Sequence, residues 1–251
     1  MNDIFVYPLQ NSKEYKDIIN CINNNKGSLL INGLLAVQKP HIAYSMYRDL
    51  NRQTIFITNS DLEAKKVYDD LSFYMKDKVE YIGFQDILFY HLDAKDRSEE
   101  AKRLKVLLKL AKGENIILVT SIEAVMRKYI PKEILLENIY TYKIGDVINI
   151  EKLSETLVNL GYERVSKIEG FGQFSIRGGI VDIFSLEYNN PIRMELFDDE
   201  IDSIRTFDVF SQKSIEKINK FSITPSREFI YPENVEEAVD KIKKDTDKNT
   251  N

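Results

Sequence analysis

The feature that most constrains the fold of this chain is a change of hydrophobic pattern near residues 143–146. Upstream, residues 28–128 repeat an apolar run followed by an amphipathic segment. Leu29, Leu30 and Ile31 form a short buried-strand pattern, and residues 42–50 follow as a helix. Residues 54–58 (TIFIT) read as a second strand, Ser60 as the N-cap of a helix reaching Tyr74, and residues 79–82 as a third strand. Leucines at 104, 107, 108 and 110 place a helix over residues 99–112, which Gly113 closes. Residues 115–120 (NIILVT) have the continuous apolar character of a parallel strand covered on both faces, and Ser121 opens another helix. Strands alternating with helices predict an α/β fold, an open parallel sheet with helices on both faces.

Downstream the alternation stops. Residues 150–160 read as one more helix, closed by Gly161, and short strands then follow at 163–168, 173–177, 180–184, 192–197 and 201–207. Their connections are Gly178-Gly179, Asn189-Asn190-Pro191 and Asp198-Asp199, all of turn chemistry. This predicts an antiparallel, meander-like module, mostly β. The expected domains are residues 1–144, 145–228 and a return segment at 229–251. In that last segment Val235, Ala238, Val239 and Ile242 make a helical pattern that fades into a polar tail, expected to be disordered. The fading pattern reads as the cut end of a longer protein.

Composition removes several function classes. The 35 basic residues are outnumbered by 40 acidic ones, a net charge of -5, so bulk charge does not hold the chain to DNA or an anionic membrane. Cys21 is the only cysteine, which excludes an intramolecular disulfide and cysteine-rich metal sites, and His41 and His91 lack metal-ligand spacing. The acidic run 198–200 reads as a turn. No metal or cofactor is expected. The N-terminus lacks the basic start of a signal peptide and no stretch reaches the ~18 apolar residues of a membrane helix. A cytoplasmic location without membrane contact is the expectation.

One loop imitates a nucleotide site. A phosphate-binding loop needs G-x-x-x-x-G-K-[ST] between strand and helix. Residues 33–40 keep Gly33 and Lys39 at that spacing, but Gln38 stands where the second glycine should be and Pro40 where the hydroxyl should be. Gln38 adds a side chain where backbone must approach closely, and Pro40 removes a magnesium ligand and an amide donor. The segment is either a vestigial phosphate loop or an ordinary strand-to-helix connection. On both readings it should not bind and hydrolyse ATP.

The stretch from Gly172 to residue 215 resembles the second domain of the bacterial transcription-repair coupling factors, a module shared with the excinuclease component UvrB. The pattern G-x-(F/Y)-x-x-R-G-x-x-x-(D/E)-(I/L)-F is met at Gly172, Phe174, Arg177, Gly178, Asp182, Ile183 and Phe184, and a second block runs from Phe197 to Asp208. Asp86, Leu88, Tyr90 and Arg103 extend the likeness upstream. The resemblance implies a degenerate P-loop (RecA-like) domain that has lost its nucleotide chemistry, carrying an inserted mostly-β α+β domain. It implies a non-catalytic N-terminal module that recruits the excinuclease component UvrA to stalled RNA polymerase in nucleotide excision repair. Contacts to the polymerase and to DNA would belong to other parts of a parent translocase, and no small-molecule substrate is implied.

On the same resemblance Arg164, Arg177 and Phe184 are the partner-binding residues. Read from the residues alone, the arginines are equally solvated charges or partners of Glu163, Glu169 or Asp182, and Phe184 is as well placed for core packing. Two other function classes stay open: an ATPase half-domain, and a DNA-binding module using Lys102, Arg103, Lys105 and Lys109 as a basic helix face.

Overall fold

The computed structural model describes residues 4–24, 27–84, 94–230 and 243. In chain order its elements are α1 (Tyr7–Gln10), α2 (Lys13–Asn23), α3 (Gln38–Leu50), β1 (Thr54–Thr58), α4 (Asp61–Tyr74), β2 (Val79–Ile82), α5 (Ala94–Ala111), β3 (Ile117–Ser121), α6 (Ile122–Val125), α7 (Lys132–Glu137), β4 (Tyr140–Lys143), α8 (Ile150–Asn159), β5 (Glu163–Arg164), β6 (Gln173–Arg177), β7 (Ile180–Ile183), β8 (Ile192–Phe197), β9 (Glu200–Phe207), β10 (Ser214–Lys217) and β11 (Lys220–Ile223). They form two compact units, residues 1–91 with 109–128 and residues 92–108 with 129–251.

The first unit is built on a parallel sheet of order β1-β3-β2. All five residues of β3 are buried, as its unbroken apolar character requires of a central strand. Helix α4 packs on this sheet with Ala64, Val67 and Leu71 buried among Val79, Ile117 and Val119, beside Tyr44 and Tyr47 of α3. Ser60 and Ser121 cap their helices as the sequence predicts: each side-chain oxygen accepts a backbone N–H three residues on. Leu29–Ile31 departs from expectation. These residues pair with no strand, and Leu30 is 81% exposed. Three apolar residues flanked by polar ones are too short a pattern to distinguish a strand from an extended connection.

The second unit carries a six-stranded sheet, β10-β9-β8-β7-β6-β5, antiparallel except for β5 against β6. Strands β6 to β9 lie within a residue or so of their expected bounds. Positive φ at Gly178 and Asp198 sits in the expected turns, where Gly and Asp tolerate it. Helix α8, capped by Asn149, lays Leu153 and Leu157 on one face of the sheet. There they meet Phe174, Val181, Ile183, Ile192, Met194 and Ile204 in one continuous core. Strand β4 precedes the expected boundary at 144/145 yet pairs antiparallel with β11, so the β-rich part begins earlier than the turn signals suggest. The expected helix around Val235–Ile242, the motif residues Asp86, Leu88 and Tyr90, and His91 lie outside the described residues.

Candidate docking face

Strand alternation divides the six-stranded sheet chemically. The Phe174 side is the apolar core. On the opposite side, register aligns Ser175, Asp182, Arg193, Arg205 and Lys217 in a row across five strands. A second row two residues along holds Arg177, Ile180, Glu195 and Ser203. Four cations thus share the face with two carboxylates (Arg177, Arg193, Arg205 and Lys217 against Asp182 and Glu195), on a chain whose net charge is -5.

Asp182 is the hub. Its side chain is 3% exposed and accepts from Arg193 Nε (2.7 Å) and Nη2 (2.9 Å) and from Arg177 Nη2 (2.7 Å). The fork geometry suits a bidentate carboxylate contact, and Asp182 holds the Arg193 proton even more firmly than usual. Arg193 also lies 4.3 Å over the Phe207 ring and donates to Gln212 Oε1 at 3.1 Å. Beside it, Arg205 is paired with Glu195, which also accepts from Ser203 Oγ at 3.0 Å. The Arg205 hydrogen bond holds the Glu195 carboxyl below its ordinary range. A lowered folded-state pKa means that this pair contributes above the ordinary glutamate pKa and is lost as the pH falls through the folded value.

Of the residues expected from sequence, Arg177 belongs to this face and keeps about half its side chain in solvent. Its pairing with Asp182 is one of the alternatives the residues left open. Arg164 is exposed but stands level with Phe174 on the edge strand β5, out of phase with Ser175 and Arg177. The register therefore does not bring the two arginines onto one face. Phe184 is 5% exposed and lies against Phe171 with ring centroids 4.2 Å apart, so the ring that reaches solvent here is Phe171, 51% exposed. The sequence motifs do not single out Arg193 and Arg205, although both alternate with apolar residues inside strands that the sequence predicts.

The loop at residues 33–40 is occupied with itself. Gln38 begins α3, and its Oε1 accepts the Leu35 N–H at 2.9 Å. The Gln38 and Lys39 amides donate to Leu35 and Ala36 carbonyls, and Pro40 has no amide. The helix starts four residues before residue 42, because proline is tolerated in a first turn. The adjoining cavity of about 460 Å³ is lined by Leu34, Ile42, Met46, Leu50 and Phe56, with Lys39 the one charged lining residue among the described residues. Of the four basic residues considered for a cationic face on α5, Arg103 is buried on Glu228, Lys109 pairs with Glu80 and Lys102 with Glu99, while Lys105 is exposed. Among the described residues no helix is long and apolar enough to cross a membrane.

Residues 141–229 match the UvrB interaction domain family, a span that takes in the charged sheet, all of β11 and all of β4 but its first residue. The chain is related to the transcription-repair-coupling factors. It is 33% identical over 236 residues to the transcription-repair-coupling factor of Bacillus subtilis, a match covering 93% of this chain and 20% of that protein. The corresponding proteins of Staphylococcus epidermidis and Staphylococcus aureus are 32% and 33% identical, over 83% and 84% of this chain and 18% of each relative. The chain therefore spans about one fifth of the length of these relatives. The charged face described above lies wholly within the segment that matches the UvrB interaction domain.

Proposed function

We propose that this chain is a non-catalytic docking module of a transcription-repair-coupling factor, and that its UvrB interaction domain recruits the excinuclease component UvrA to a stalled RNA polymerase. The observation that carries the reading is the coincidence of that domain match with a rigid sheet face rich in arginine. An acidic partner surface would meet forked donors already held in place, which lowers the entropic cost of binding. Contacts to polymerase and DNA would come from the parts of such a protein that this chain does not span.

Calorimetric titration with purified UvrA tests this. The wild-type chain should bind, and Arg177→Ala, which removes the most exposed guanidinium of the face, should weaken binding by about tenfold. Arg164→Ala should weaken it less, because Arg164 stands apart from the charged rows. No binding by the wild-type chain would end the proposal.

The first unit, on the same reading, is a nucleotide-binding fold that no longer holds nucleotide. Support comes from the Leu35, Gln38 and Lys39 amides, which are bonded within the loop, and from the largely apolar cavity beside it. Titration with Mg-ATP should give no heat of binding up to about 1 mM, an affinity limit near -4 kcal/mol. A submillimolar dissociation constant would restore the ATPase alternative.

A further inference from the structure

The turn between β9 and β10 holds the most exposed of the large apolar side chains described: Phe210, at 91%. A flexible loop could fold such a ring back onto the protein, but this turn is braced throughout. The Asp208 N–H donates to Lys213 O, and the Gln212 N–H to Asp208 O at 2.8 Å. Asp208 Oδ1 accepts both the N–H and the hydroxyl of Ser211, each at 2.7 Å, and these bonds hold its carboxyl below the usual range. Gln212 has a left-handed backbone, φ 59°, and its Nε2 donates to Val209 O at 2.8 Å. Its other amide atom, Oε1, accepts from Arg193. The brace around Phe210 is thus tied directly to the central arginine of the charged face.

We infer that Phe210 is an aromatic anchor of the docking face, inserting into an apolar recess bordered by carboxylates on the protein partner. This rests on the docking reading above and adds to it the residue that would supply apolar binding energy. The charge balance of the neighbouring rows sets the sign of the partner's rim: four cations against two carboxylates favour an acidic surface. The braced turn supplies the second requirement, because a ring already held outward loses little freedom on binding. Phenylalanine in such a position gives up a hydrated surface only when the partner covers it, so its contribution appears in the complex and not in the stability of the free chain.

The test uses the full chain and purified UvrA in calorimetric titrations, with urea denaturation of each variant. Phe210→Ala should leave the denaturation midpoint unchanged and weaken binding by about tenfold or more, while Phe210→Tyr should stay close to wild type. Gln212→Ala, which cuts the tie to Arg193, should weaken binding by a smaller factor. If Phe210→Ala binds within about twofold of wild type while Arg177→Ala is weakened, the anchor is refuted and the docking reading stands. If the wild-type chain does not bind at all, both fall.

Discussion

Asp182→Ala should destabilise the second unit by about 3 kcal/mol, the low end of what breaking a buried ion pair costs. The carboxylate is almost fully enclosed and accepts three hydrogen bonds from two guanidinium groups. Removing it leaves Arg193, whose side chain is 14% exposed, with Phe207 and Gln212 and without its bidentate carboxylate, the remaining charge attraction coming from Glu195, which is itself paired with Arg205. The Arg177 side chain can turn into water and costs little, which is why the lower end of the range applies. Asp182→Asn keeps the shape and one acceptor and should cost less. Removing both charges with Asp182→Leu and Arg193→Met should recover much of the lost stability, because no unpaired charge then remains buried. Urea denaturation of the three variants, with hydrogen exchange of the β7 and β8 amides reporting on the second unit alone, measures this. A cost below about 1 kcal/mol for Asp182→Ala, or a double variant as unstable as the single, would show that the hub is not a buried charge cluster.

The pattern of what was legible follows the range of the forces involved. Strands β6 to β9 were legible because local signals mark both ends of each: alternating apolar residues within, and Gly178-Gly179 or Asp198-Asp199 between. Helix α8 was legible from its apolar spacing and the closing Gly161, and the structure adds Asn149 as its N-cap. Strand β10 carries no such signal. All four of its residues are exposed, and only its pairing with β9 makes it a strand. Strands β4 and β11 are joined across the whole β-rich segment, a pairing that no local window contains.

The candidate site divides in the same way. Arg177 sits within a compact motif that the sequence singles out; Arg193 and Arg205 join it on the charged face through register between neighbouring strands. Alternation alone could have found them, since Ile192 and Met194 point to the core and leave Arg193 and Glu195 on the opposite side. Phe184 illustrates the converse. The sequence leaves it open between partner binding and core packing; in the structure it is buried and Phe171 lies against it. For the loop at residues 33–40, the sequence reports the substitutions, while the geometry adds that Gln38 takes up the Leu35 amide.

Phe174→Ala should cost the second unit about 3–5 kcal/mol, the range for deleting a fully buried aromatic ring. The Phe174 side chain has no solvent exposure and lies in the core under α8. Its strand is paired on both sides, with Phe174 level with Arg164 on β5 and with Ile183 on β7. Neighbours fixed in two strands and a helix can collapse only partly into the space left behind, so a cavity term adds to the lost burial. Phe174→Leu retains part of the volume and should cost less. The same ring sets the phase of β6: with Phe174 held inward, Ser175 and Arg177 must face the other side. Phe174→Ala should therefore loosen the charged face as well, weakening partner docking without removing a single group from it. Because the chain contains two compact units, residue-resolved hydrogen exchange is the appropriate measurement, with the amides of β6 and β7 reporting on the second unit alone. Protection of those amides should fall sharply while that of β1 and β3 stays near wild type. Unchanged protection in β6 would mean that the core closes around the missing ring, and that the phase of the charged face is set elsewhere.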